Sequence, residues 1–165
     1  MLVETKLIKK EYLKLMLLLV YKRPMIIFLN IIGLVMITGT LLYAIGDYSM
    51  YSEAPIVPGF MGLFFLLFMP ISVVFGAHKS FSSNGRLQEK ITYDFTDEKT
   101  IINGETFSSE MSWEKTYKVK ELKNWILIYQ NKQMFNLIPK TAFGDQLSEF
   151  KSLVNKNNIK AKFRE

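Results

Sequence analysis

Four carboxylates, Glu89, Asp94, Asp97 and Glu98, crowd one short stretch of this chain. Paired carboxylates can divide acid and base roles when their environments separate their pKa values. Here they sit in or beside a polar strand-turn segment, where Asp97-Glu98 more simply solubilises a loop. The regular series of oxygen ligands that a calcium loop needs is absent. Ser108-Ser109-Glu110 would need an adjacent base to make a nucleophile. The one histidine, His78, is distant in sequence, beside an apolar run, and no Gly-x-Ser-x-Gly elbow occurs. The chain has no cysteine, which removes disulfides, thiolate zinc sites and thiol nucleophiles together. Neither a phosphate-cradling glycine loop nor a dinucleotide fingerprint is present. The expectation is a protein without catalytic residues, metal ligands or cofactor, and not an enzyme.

A binding surface is the better prospect. Lys115, Lys118, Lys120 and Lys123 lie among Trp113, Tyr117, Trp125, Tyr129 and Phe135. Alternating strand faces would send about half of those aromatics into a core. Glu114 and Glu121 interrupt the basic group, which counts against nucleic acid as the partner. A membrane-facing or protein-facing surface carried by the four lysines fits better.

These residues must be positioned by what precedes them. The formal net charge is +6 over 165 residues, and its distribution matters more than its size. Pro24 to Gly46 and Ala54 to Ala77 contain no charged residue. At 1.5 Å per residue, each run is long enough to cross a hydrocarbon core about 30 Å thick. The pattern predicts transmembrane helices over 24–46 and 57–77, with a kink at Pro70 in the second. Asn30 is expected to hydrogen-bond across helices. Thr40-x-x-x-Ala44 and Ser72-x-x-x-Gly76 offer small residues for close approach, within the hairpin or in a homo-oligomer. Lys6, Lys9, Lys10, Lys14, Lys22 and Arg23 precede the first run, whereas the 47–56 loop has Asp47 and Glu53 and no basic residue. The positive-inside rule then puts both termini in the cytoplasm and the loop outside, with Tyr43, Tyr48 and Tyr51 at the outer interface.

Residues 1–23 read as a basic amphipathic segment: Ile8, Tyr12, Leu15, Met16 and Leu19 share one helical face, favouring an interfacial helix. Residues 78–88 read as a linker. The stretch 89–156 reads as an α+β domain. Its candidate strands are 89–96, 100–102, 113–122, 125–130 and 133–138, arranged as an antiparallel meander with a tight turn at Asn103-Gly104. Phe143, Leu147, Phe150 and Val154 make a helical stripe that would pack on the sheet. Thr141 or Asp145 could cap the start of that helix, and Asn157-Asn158 would end it. Residues 157–165 are left as a tail.

Two apolar spans followed by Ile91-Thr92-Tyr93-Asp94-Phe95, Ser112-Trp113-Glu114-Lys115, Trp125-Ile126-Leu127-Ile128-Tyr129 and Phe135-Asn136-Leu137-Ile138-Pro139-Lys140 resemble the YcxB-like family of bacterial membrane proteins. The resemblance implies a bacterial cytoplasmic membrane location and a cytoplasmic C-terminal domain with a pleckstrin-homology-like sheet and closing helix. It supplies no catalytic residue. The functional expectation is a membrane-anchored binding or regulatory module that recognises a protein or an anionic lipid headgroup. The alternative, from a different class, is an immunity-type protector against a membrane-targeting toxin.

Overall fold

The computed structural model describes residues 1–46 and 52–163, so Tyr48, Tyr51 and the first half of the 47–56 loop lie outside the described residues. The chain divides into two units: Ile8–Ser83, and Met1–Leu7 together with Asn84–Glu165.

The first unit is helical. Helix α1 covers Lys9–Tyr21, α2 covers Pro24–Ala44 and α3 covers Ile56–Ser83. Proline disfavours a helical residue before it, and Arg23 is accordingly extended, so α1 and α2 are separate helices. Pro24 then starts α2, where its missing N–H costs nothing. Both α2 and α3 are long and apolar enough to cross a membrane. They pack where glycines permit it: a Cβ on Gly62 would lie 2.8 Å from the Gly33 carbonyl oxygen and 2.7 Å from Ile37 Cγ1. One turn earlier on α3, the space above Gly59 is filled by Thr40. Of the small residues expected at this contact, Thr40 takes part, whereas Ala44, Ser72 and Gly76 are exposed. Asn30 also departs from expectation: its amide donates to the Ile26 carbonyl one turn back (2.7 Å), satisfying itself within α2.

Helix α3 does not stop at Ala77. It runs through Pro70 and on to Ser83, taking in residues expected to form a linker. The extra turns have a packing partner in α1, where Tyr12 and Leu15 are buried and the Tyr12 ring meets that of Phe81 at 5.5 Å.

The second unit is built around two four-stranded sheets. In the first, β1 (Leu2–Lys6), β2 (Lys90–Phe95), β3 (Lys99–Asn103) and β4 (Ser108–Ser112) lie side by side in sequence order, all antiparallel. In the second, β7 (Phe135–Pro139), β6 (Trp125–Tyr129) and β5 (Lys118–Glu121) are antiparallel, and β8 (Ala161–Lys162) adds to β5 in parallel. Helix α4 (Leu147–Lys156) sets Phe150 and Val154, both fully buried, into a core shared by Val3, Phe95, Ile126 and Ile138. The fold class is α+β, as the alternation and the final 3.6-residue period require.

Three local differences have physical causes. Ser108–Ser112, outside the candidate strands, is a strand because backbone pairing with β3 outweighs the poor strand propensity of its exposed side chains. Trp113 is not in a strand. Its indole N–H donates to the Thr96 carbonyl (2.9 Å), and the turn Trp113–Lys115 carries the chain from one sheet to the other. The tight turn expected at Asn103-Gly104 is instead a four-residue connection over 104–107: Asn103 still belongs to β3, paired with Ser108, and neither Asn103 nor Gly104 has positive φ. Gly104 is needed because the Phe107 ring occupies the place of its Cβ.

The two ends of the unit also gain strands. Leu2–Lys6, expected to belong to a basic helical segment, pairs with β2 in the register Leu2↔Asp94 to Lys6↔Lys90. Ala161–Lys162, expected to be tail, pairs with β5. At α4, neither Thr141 nor Asp145 caps the start: short 3₁₀ turns lead in, and Gln146 makes no side-chain cap bond. The end comes at Asn157, followed by Asn158 in the left-handed region at φ 51°.

Candidate functional site

Strand β5 alternates Lys118, Val119, Lys120 and Glu121. Val119 is buried in the core, so the period of two sets Lys118 and Lys120, both half-buried, on the opposite face of the second sheet, where their β6 neighbours Tyr129 and Leu127 are buried. Lys118 is paired in register with Tyr129 of β6, and Tyr129 with Phe135 of β7. The side chains follow the register. Lys118 Nζ lies 4.6 Å from the centre of the Tyr129 ring and 5.3 Å from that of Tyr117. The Tyr129 and Phe135 rings meet at 5.1 Å. An ammonium over aromatic faces is held by the ring quadrupole while remaining able to meet an anion. Burial beside these rings pushes the Tyr129 hydroxyl above its ordinary pKa.

The other two lysines of the group sit at the ends of this ridge. Lys115 is exposed in the turn before β5, and Lys123 is exposed in the connection to β6. Lys115, Lys118 and Lys123 have no carboxylate within salt-bridge distance among the described residues. The aromatics divide: Trp113, Trp125 and Tyr129 are buried, Phe135 is half-buried and Tyr117 is exposed. Trp113 is therefore a core residue, stacked 6.0 Å from Phe95, and takes no part in the surface.

Glu121 corrects the charge reading. It does not dilute the lysines at the surface, because its side chain is 1% exposed. It accepts from Lys140 Nζ at 2.5 Å and from Lys151 Nζ at 2.8 Å, tying β5 to the segment after β7 and to α4. The signal was in the sequence, since Glu121 falls in phase with Val119 on the inward side of the strand. Without those partners a carboxylate there would be expelled toward water or protonated.

The acidic stretch does not converge. Glu89 accepts from the Thr106 hydroxyl (2.6 Å) and N–H (2.9 Å). Those bonds hold its carboxyl below the usual range. Asp94 lies 3.6 Å from the Met1 amino group, and Asp97 pairs with Lys156 at 3.0 Å. Glu98 contributes its backbone carbonyl, which accepts from the Trp113 N–H. Ser108 donates to Asn103 Oδ1. Among the described residues, no group of three His, Asp or Glu side chains is placed to hold a metal ion.

Residues 95–154 match the model of a family described as YcxB-like protein, and that segment is a YcxB-like domain. It takes in β3 to β7 and all but the last residues of α4, but β1, most of β2 and β8 lie outside it. No curated protein and no solved structure matches the chain.

Proposed function

Taking a YcxB-like domain as the premise, we propose that this chain is a non-enzymatic, membrane-anchored binding module. Helices α2 and α3 cross the bacterial cytoplasmic membrane as a hairpin, and the β unit sits on the cytoplasmic side. The pairing of β1 with β2 supports that topology independently of charge. The helical unit is inserted between two hydrogen-bonded strands, so the chain leaves and re-enters the β unit at neighbouring positions on one sheet. An even number of crossings is the arrangement compatible with that pairing. The excess of basic residues on the strand side and their absence from the 47–56 loop support the cytoplasm as that side.

The observation that carries the binding role is the ridge of Lys118 over Tyr129 and Tyr117, flanked by Lys115 and Lys123. Its partner is an acidic protein surface or an anionic headgroup, and two sheets closed by a helix form a pleckstrin-homology-like platform for it. A photo-crosslinking residue at position 117 in the full chain tests this in cells. The expected result is a discrete adduct that is lost when Lys115, Lys118, Lys120 and Lys123 are all changed to Gln. Labelling that is diffuse and indifferent to those four changes would sink the assignment. Topology is tested separately with single cysteines at Tyr51 and Lys132. A membrane-impermeant thiol reagent should label only position 51 in intact cells, and the opposite pattern would reverse the orientation.

A further inference from the structure

Among the described residues, basic residues without a carboxylate at salt-bridge distance occur in both units, Lys115, Lys118 and Lys123 among them in the β unit. In the β unit, Lys90, Lys99, Lys140, Lys151 and Lys156 each lie within salt-bridge distance of a carboxylate. In the helical unit, none of Lys9, Lys10, Lys14, Lys22, Arg23 and Lys79 does, among the described residues. Glu11 is the one acidic residue accompanying these six in sequence, and the others of this unit, Asp47 and Glu53, belong to the 47–56 segment.

One of the six is fixed by a specific contact. Lys9 Nζ, in the first turn of α1, lies 2.9 Å from His78 Nε2 and 3.3 Å from Ser82 Oγ. His78 and Ser82 are four residues apart on α3, so they share one helical face. The Tyr12–Phe81 ring contact holds the two helices together beside them. His78 directly follows Ala77, which ends the uncharged run of α3. An ammonium, an imidazole and a hydroxyl therefore meet one residue beyond the apolar span, and the ammonium has no carboxylate beside it among the described residues.

We propose that Lys9, His78 and Ser82 form a clip for the phosphate of an anionic phospholipid headgroup. Without lipid, neutral His78 accepts from the Lys9 ammonium through Nε2. A phosphate oxygen entering beside them accepts from the ammonium, and the imidazole holds a second proton and donates to it as well. Both contacts are then charge-assisted. The Ser82 hydroxyl lies beside the same position. Lys10, Lys14, Lys22, Arg23 and Lys79, all exposed, add positive charge to the same helical unit, which enriches anionic headgroups over free anions near a bilayer. The inference rests on the hairpin crossing a membrane, which the cysteine-labelling experiment tests on its own.

His78 is the only histidine, so ¹⁵N-histidine labelling of the full chain in nanodiscs reports this one ring. Replacing part of a phosphatidylcholine bilayer with phosphatidylglycerol should raise the midpoint of its titration by about one unit, the usual effect of an adjacent opposite charge. Lys9→Gln should remove most of that rise, and Lys9→Arg should keep it. A diffuse surface potential predicts the contrary, because removing a neighbouring cation leaves the rise intact or enlarges it. That outcome would overturn the clip, as would no rise in the unsubstituted chain. If millimolar inorganic phosphate in pure phosphatidylcholine nanodiscs produces the same rise, the lipid assignment is overturned in favour of a free-phosphate site.

Discussion

Replacing Phe150 with alanine should remove a large part of the stability of the β unit. The side chain is fully buried on α4, and its ring meets those of Phe95 and Phe143, each at 4.9 Å. Removing a buried phenylalanine ring costs about 3–5 kcal/mol through lost transfer energy and the cavity left behind. Each of its two ring pairs holds a further ~0.5–1.5 kcal/mol beyond area burial, already included in part in that range. A small domain has only about 5–15 kcal/mol in all. The measurement is urea unfolding followed by circular dichroism, on residues 1–7 joined by a short loop to 84–165. With a denaturant slope of about 1–2 kcal/mol per molar, the midpoint should fall by roughly 1.5–5 M. Phe150→Leu keeps most of the volume and should lose clearly less. If Phe150→Ala leaves the midpoint within a few tenths of a molar, α4 does not close the core.

Residues 84–165 without the first seven should lose cooperative unfolding, because β2 then has a bare edge and Val3 leaves the core. An equal midpoint with and without that strand would show that β1 contributes nothing. Glu121→Gln should destabilise the joined β unit by about 3–5 kcal/mol, since Lys140 and Lys151 lose their shared carboxylate, whereas Lys123→Gln should stay within about 0.5 kcal/mol. Parity between those two variants in urea would mean that the Glu121 carboxylate is not a structural tie. Gly62→Val should lower the melting temperature of the full chain in detergent, because a Cβ there meets the Gly33 carbonyl oxygen and Ile37. Gly76→Ala, with nothing within 4 Å, should leave it unchanged. Equal loss in both would place the helix contact elsewhere.

Some of this protein is written in local pattern. The two uncharged runs, the 3.6-residue stripe ending at Val154, the alternation of β5 and the continuous apolar run of β6 each need only near neighbours in sequence to be read. A bilayer demands a long run without charge, and packing against one side imposes a fixed period on apolar residues. The nearness of the four lysines to aromatics in sequence was legible in the same way, but which rings Lys118 meets follows from the strand register. The inward position of Glu121 was also available from alternation, but an acidic residue between lysines is more readily taken for solvent charge.

The remaining features are set by contacts between residues far apart in the chain. Leu2–Lys6 is a strand because β2, on the far side of the whole helical unit in sequence, offers an unpaired edge. Its short polar-apolar alternation is too weak to announce that partner. Ser108–Ser112 and Ala161–Lys162 likewise take extended form from the ladders they join. The crossing of α2 and α3 at Gly33 and Gly62 depends on two glycines meeting, which neither helix signals alone. By itself the sequence determined which segments seek apolar surroundings and with what period. The tertiary structure decided which edges pair and which backbones touch, because hydrogen-bond satisfaction and steric fit are properties of both partners at once.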